Sequence, residues 1–297
     1  YLGPSPEGVN ALAVNDVAGA RGAGLNIVDV EGAWVWAHED LPSPFYNPGS
    51  MRPEQSWRDH GTAVLGVIAS YDNGYGTRGI TPDVAIGGIS IQSYSVASAI
   101  NQAWRAINAG DVVVIELHAP GPNADGNGQF GYVPMEYWQD NFDVILLASA
   151  NGRIVCEAAG NGSQNLDDPV YGVTFDRDFR DSGAIMVGAA NRSGVPEWFT
   201  NYGGRVDLNG WGSSVTTLAY GDLQGAPDYP ETEFYTSFFS GTSSATPIVT
   251  GAVLALQGIV KEGSNTTLDP ILAGNISVDW QPRQWRQTHW SPPGYSG

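Results

Sequence analysis

Between Gly24 and Leu256, short apolar runs alternate with segments of helical periodicity, and no other feature of the 297-residue chain constrains its fold as tightly. The runs Gly24–Val30 (GLNIVDV), Asp83–Ile89, Val112–Leu117, Arg153–Ala159 and Ala184–Ala190 have strand length. Near-continuous apolar character is expected of strands covered on both faces, as in parallel sheets. Between them, Arg58–Ser70 carries Val64, Leu65, Val67 and Ile68 as one helical stripe, and Ser95–Ala109 repeats the pattern with Ile100, Ala103, Trp104 and Ile107. Glu136–Ser149 is expected to be helical, and shorter strand-like pieces lie at Val206–Leu208 and Val215–Ala219. The fold class implied is α/β, a three-layer sandwich with a mostly parallel central sheet flanked by helices.

With 42% hydrophobic residues, 39 Gly and 19 Pro, the chain suits a single domain over residues 1–297 with ample core and many turns. A polar arm (1–21) and a C-terminal strap (263–297) holding Trp280, Trp285 and Trp290 are expected to lie on that body. The net charge is −18 and Lys261 is the only lysine, so nucleic acid and anionic membrane are excluded as expected partners. The single cysteine, Cys156, sits in an apolar run and reads as a buried small hydrophobe that can form no internal disulfide. No apolar run reaches membrane-spanning length, and the N-terminal YLGPSPEGVN lacks the basic-then-apolar pattern of a leader.

The chemistry concentrates in Ser240–Pro247 (SGTSSATP), which runs into the apolar segment Ile248–Leu256. A tight turn leading into a helix presents Ser243 at the positive end of the helix dipole, where a nucleophile and a developing anion are favoured. On that stretch alone, capping of a buried helix by Thr242 or Ser243 is the commoner reading, and the partners of the serine must decide. Asp29 ends the first apolar run, at the strand end where open α/β sheets place their chemistry, although an Asp there also caps turns. His60 stands beside Gly61 at the start of the helical stripe, and Asn161 follows the Arg153–Ala159 strand in the sequence AAGNG.

Asp29 in DVEG, His60 in HGT, Asn161 in AAGNG and Ser243 in GTSSATP follow one another in an order that resembles the subtilisin-like serine proteases. The resemblance runs from about Gly24 to Leu256. It implies a secreted, monomeric serine endopeptidase acting on protein or peptide through an acyl-enzyme, freed of a leader and propeptide outside this chain. His60 would be the general base, Asp29 its orienting acid, Ser243 the nucleophile, and Asn161 with the Ser243 backbone N–H the oxyanion hole. By the same resemblance Leu117, His118, Ala119 and Pro120 are substrate-binding, no cofactor serves catalysis, and Asp40 and Asn73 are candidates for a structural calcium, with a plain turn as the alternative.

Three departures accompany the likeness. Val30 and Glu31 intervene before Gly32, where the family has a small residue and Gly directly after the acid, and Glu31 is expected to point to solvent. The segment between Ile89 and Ser95 is short, while Gly121–Pro134 is long and expected to supply contacts on that side of the cleft. Among other classes, an α/β-hydrolase esterase needs Gly-x-Ser-x-Gly, but Ala245 follows Ser243 at the second position. A sedolisin-like protease would use a carboxylate base in place of HGT. An inactive binding scaffold, or a peptide ligase or cyclase sharing the acyl-enzyme, stays open.

Overall fold

The computed structural model describes residues 1–4 and 8–270. The expected alternation is realised as β1 (Asn26–Glu31), α1 (Gln55–Ala69), β2 (Ala85–Ser90), α2 (Val96–Arg105), β3 (Val112–Ile115), the short strands β4 (His118–Pro120) and β5 (Tyr132–Pro134), α3 (Gln139–Ala150), β6 (Ile154–Ala158) and β7 (Ile185–Ala190). They are followed by β8 (Leu208–Trp211), β9 (Val215–Leu218), β10 (Tyr235–Phe239) and the long α4 (Thr242–Ser264).

A six-stranded sheet runs in the order β2-β1-β3-β6-β7-β8, every neighbour parallel. Strand periodicity of two divides its side chains between two helical layers. Ile27, Val112, Val114, Ile154 and Cys156 pack with residues of α1 and α4, whereas Val28, Val30, Val113, Ile115 and Val155 pack with α2 and α3. The sandwich therefore has three layers, as expected. After β1 the chain moves outward to β2, then crosses to the other side of β1 for β3, so the strand order reverses between β1 and β3. In open α/β sheets the crevice at such a switch point, beyond the carboxyl ends of the strands, is where ligands bind. Glu31 and Glu116 sit at or just past those two ends.

Three sequence expectations need correction. His60 does not open α1, which starts at Gln55 after Pro53 and Glu54, because its first turn is polar and carries no apolar stripe to reveal it. The late sheet strand lies at Leu208–Trp211 rather than Val206–Leu208. By length and composition α4 could cross a membrane, contrary to the reading of its apolar run, but 78% of its apolar window is buried as the core helix between α1 and the sheet. Nearly all of the C-terminal strap, with its three tryptophans, lies outside the described residues.

Candidate active site

β1 delivers two carboxylates to the α1/α4 side, because Asp29 and Glu31 are separated by one period of the strand. Only the terminal one meets the histidine. Glu31 is fully buried; its Oε2 pairs with Nδ1 of His60 and its Oε1 accepts the Gly32 N–H at 2.7 Å. Asp29, expected to orient His60, is bonded elsewhere: its Oδ2 accepts the Trp34 indole N–H at 2.8 Å, and its Oδ1 is buried without a partner. The expectation that Glu31 faces solvent is overturned by its burial. The signal was present in the sequence, since Glu31 is the carboxylate followed directly by two small residues, Gly32 and Ala33.

His60 projects from the second turn of α1 with its side chain 25% exposed, flanked edge-on by Trp57 and Phe239. Gly61 lets α1 come this close to β1: a Cβ there would stand 2.3 Å from the Ala33 carbonyl oxygen. Burial lowers the His60 pKa, and the charge and hydrogen bond of Glu31 more than reverse this, leaving it above the ordinary 6.5. The Glu31 bond also sets the tautomer, placing the neutral ring's proton on Nδ1 and its lone pair on Nε2.

Ser243 is the second residue of α4, so its backbone N–H is one of those without an intrahelical acceptor. Gly241 precedes the helix at φ 98°, a left-handed setting that favours glycine, and a Cβ there would stand 3.2 Å from Asn161 Nδ2. Pro247, within the second turn of α4, removes only the bond to the carbonyl four residues back, that of Ser243. The side chain of Asn161 is locked by Thr242, whose N–H (2.8 Å) and hydroxyl (3.0 Å) both donate to Oδ1. This leaves Nδ2 as a donor beside Ser243, where it reaches Gln129 Oε1 at 3.2 Å.

His60, Asn161, Gly241 and Ser243 line one cleft of about 580 Å³, closed on its far side by Asn127–Phe130 and by Trp198 and Phe199. The long loop thus does border the cleft, through a ribbon in which β4 pairs antiparallel with β5. The candidate substrate residues contribute unequally. Leu117 is buried in the α2/α3 layer, and Ala119 packs partly against it. Pro120 is exposed, and His118 accepts the Asn161 backbone N–H on Nδ1 at 3.1 Å. Burial, with the nearby His60, pushes the His118 pKa down to about 4, so it is a neutral positioning group. Asp167 and Asp168 lie on loop N–H groups of Gly204 and Val170.

Asp40 and Asn73 do come together, but as a hydrogen-bonded turn. Asn73 Nδ2 donates to Asp40 Oδ1 (3.0 Å) and Thr77 N–H to Oδ2 (2.9 Å), while burial pushes the Asp40 carboxyl up to about 6. A calcium ion wants several oxygens facing inward, and here N–H donors face both oxygens of the Asp40 carboxylate. No group of three His, Cys, Asp or Glu among the described residues is arranged to hold a metal. The residues do not fit a calcium site.

The sequence model of the subtilase family matches residues 37–284, a span that begins past both Asp29 and Glu31. Subtilisin amylosacchariticus from Bacillus subtilis subsp. amylosacchariticus is 25% identical over 242 residues, covering 79% of this chain and 55% of that protein. The Aeromonas extracellular serine protease of Aeromonas sobria is 24% identical over 309 residues, covering 86% of this chain and 48% of the relative. The chain thus spans about half the length of these curated relatives. Among solved structures, a protease from Pseudoalteromonas arctica superposes with a TM-score of 0.66 at 19% identity, over 93% of this chain and 88% of that one. A cold-adapted subtilisin-like serine proteinase gives 0.61 at 20% identity, over 86% and 81%. These two likenesses bear on the fold alone.

Proposed function

The chain belongs to the subtilase family, and from that premise we propose that it is a serine endopeptidase whose triad is Glu31, His60 and Ser243, with Asn161 in the oxyanion hole. The observation that carries this reading is the convergence of His60, Asn161 and Ser243 on one cleft, with Glu31 bonded behind the histidine.

Each group has a role that its surroundings support. Glu31 holds the Nδ1–H tautomer of His60 and stabilises the imidazolium that forms. Nε2 takes the Ser243 proton as Oγ bonds to the peptide carbonyl carbon, then returns it to the leaving amine. The oxyanion receives the Asn161 Nδ2–H, held outward by Thr242, and the Ser243 backbone N–H at the positive end of α4. Water then repeats the sequence on the ester. These residues suffice for acyl transfer without any added group. β4 and β5 form a two-stranded ribbon, so β4 keeps an edge on which an extended substrate backbone can pair. An extracellular setting, named for the Aeromonas sobria relative, is proposed here too.

The test is covalent labelling by a fluorophosphonate, read by mass spectrometry. Modification of Ser243, abolished in Ser243→Ala and in His60→Ala, is the expected result. A correctly folded chain that never labels refutes the enzyme reading in favour of a binding scaffold.

A further inference from the structure

Just past β3, Glu116 carries a carboxyl that the proposed triad does not use. It is 3% exposed, and neither of its oxygens has a hydrogen-bond partner. Pairing of β1 with β3 runs Asp29 with Val114 and Val30 with Ile115, so continuing that register sets Glu116 beside Glu31. Strand alternation turns Asp29, Glu31 and Glu116 to the same side of the sheet. Glu31 pairs with His60 from α1, and the charges of the cluster act on Cys156 of β6 and on Tyr220, while the Ser243 hydroxyl of α4 acts on Glu116. Like charges directly opposite on neighbouring strands are destabilising, and more so out of water. Glu31 has two N–H partners; Glu116 has none.

Resting on the acyl-transfer reading above, we propose that Glu116 is the positioning residue of the nucleophile: as an uncharged carboxylic acid it donates its O–H to Ser243 Oγ, leaving the serine's own proton to face His60. The proton count is simple. Glu116 keeps its proton throughout, the Ser243 proton moves to His60 Nε2, and the Oγ electron pair forms the bond to the carbonyl carbon. Burial first, then the charges of Asp29 and Glu31, hold the Glu116 proton well above the carboxylate range, and the Ser243 hydroxyl is the neighbour that opposes them. When Glu116 does ionise, it becomes an acceptor and draws the Ser243 O–H away from His60. Acylation therefore has an alkaline limb that belongs to Glu116.

The experiment is the pH dependence of fluorophosphonate labelling at Ser243 in the wild type and in Glu116→Gln, whose amide can donate but cannot ionise. Labelling in Glu116→Gln is expected within about threefold of the wild type at its optimum, with the rise through the His60 titration kept and the alkaline fall gone. A second readout needs no activity: Glu157 is also protonated at neutral pH, so in a Glu157→Gln background the infrared carbonyl stretch of a protonated carboxylic acid contains a component that is lost when Glu116→Gln is added. An unchanged alkaline fall, or an infrared band that does not depend on Glu116, overturns the proposal. If Glu116→Gln fails to fold, Glu157→Gln alone decides: the infrared band and the labelling rate fall with one midpoint, or the proposal is wrong. A folded wild type that never labels while keeping the Glu116 infrared band refutes the acyl-transfer reading, and the positioning role falls with it.

Discussion

The Nδ1 of His60 is bound by Glu31, at the tip of β1, while Asp29, one strand period behind it on the same face, is bonded to Trp34. Reach explains the division. The last residue of a parallel strand emerges into the crevice, and the longer glutamate chain spans to α1, whereas Asp29 lies deeper beneath the Trp34 indole. Exchanging the two acids by mutation separates their roles. Glu31→Gln is expected to lower kcat/KM by about 10⁴, the loss typical when the wrong histidine tautomer is stabilised. Asp29→Asn should stay within about tenfold, because it keeps an acceptor for Trp34. Steady-state kinetics on a peptide substrate decide it, and the reverse ranking would restore Asp29 as the acid.

The acid limb of activity reports His60. Its pKa in the fold lies above 6.5, and the base works only when neutral, so activity is expected to rise through a midpoint higher than that of a free imidazole. Glu31→Gln removes the attraction that raises the pKa and leaves burial, which lowers it. The midpoint of its residual activity should therefore move to lower pH. A kcat/KM profile in which the midpoint stays put or rises refutes the assignment.

Asn161→Ala removes a donor pre-aimed by two hydrogen bonds from Thr242, and a loss of about 10²–10³ in kcat with little change in KM is expected. Thr242→Val keeps the backbone bond and loses the hydroxyl one, so it should cost less, about threefold to tenfold. Equal losses in the two variants would mean that the amide is not the oxyanion donor.

Away from the cleft, Arg205 is fully buried and bidentate to Glu136 through Nε (2.6 Å) and Nη2 (2.8 Å), with Asp207 at 3.0 Å from Nη1. Arg205→Met leaves that buried carboxylate unpaired, and a loss of about 3–5 kcal/mol in unfolding free energy is expected. Urea titration followed by circular dichroism measures it. A variant within about 1 kcal/mol of the wild type would show that the pair gives no net support.

Stability should also fall as pH rises from mild acid to about 8. Burial, then the charge of Glu136, pushes the Glu157 carboxyl up to about 8, above its ordinary 4.5. A carboxyl raised in the folded state contributes stability fully below its unfolded pKa and loses it as pH climbs through the folded value. The wild-type Tm is accordingly expected to drop between about pH 5 and about pH 8 and to level off above, and Glu157→Gln to lessen the drop. Parallel Tm curves for the two proteins would exclude Glu157 as the source.

By itself the amino-acid sequence determined the layers of this protein and the order of its chemical groups. Apolar runs and helical stripes are local, and local periodicity dictates which faces must be covered. The turns carrying Asn161 and Ser243 announce themselves through small residues at the ends of such runs. What the tertiary structure decided is which carboxylate is bonded to the histidine. Asp29 and Glu31 share a face of β1, so periodicity cannot tell them apart, and the choice depends on how far α1 stands from the strand end, a distance set by the Gly61 contact with Ala33. The same holds for Glu116 and Gln129, which no motif marks. Their places beside Ser243 and Asn161 come from the register of β1 with β3 and from the fold of the 121–131 loop, both long-range pairings that a linear pattern does not encode.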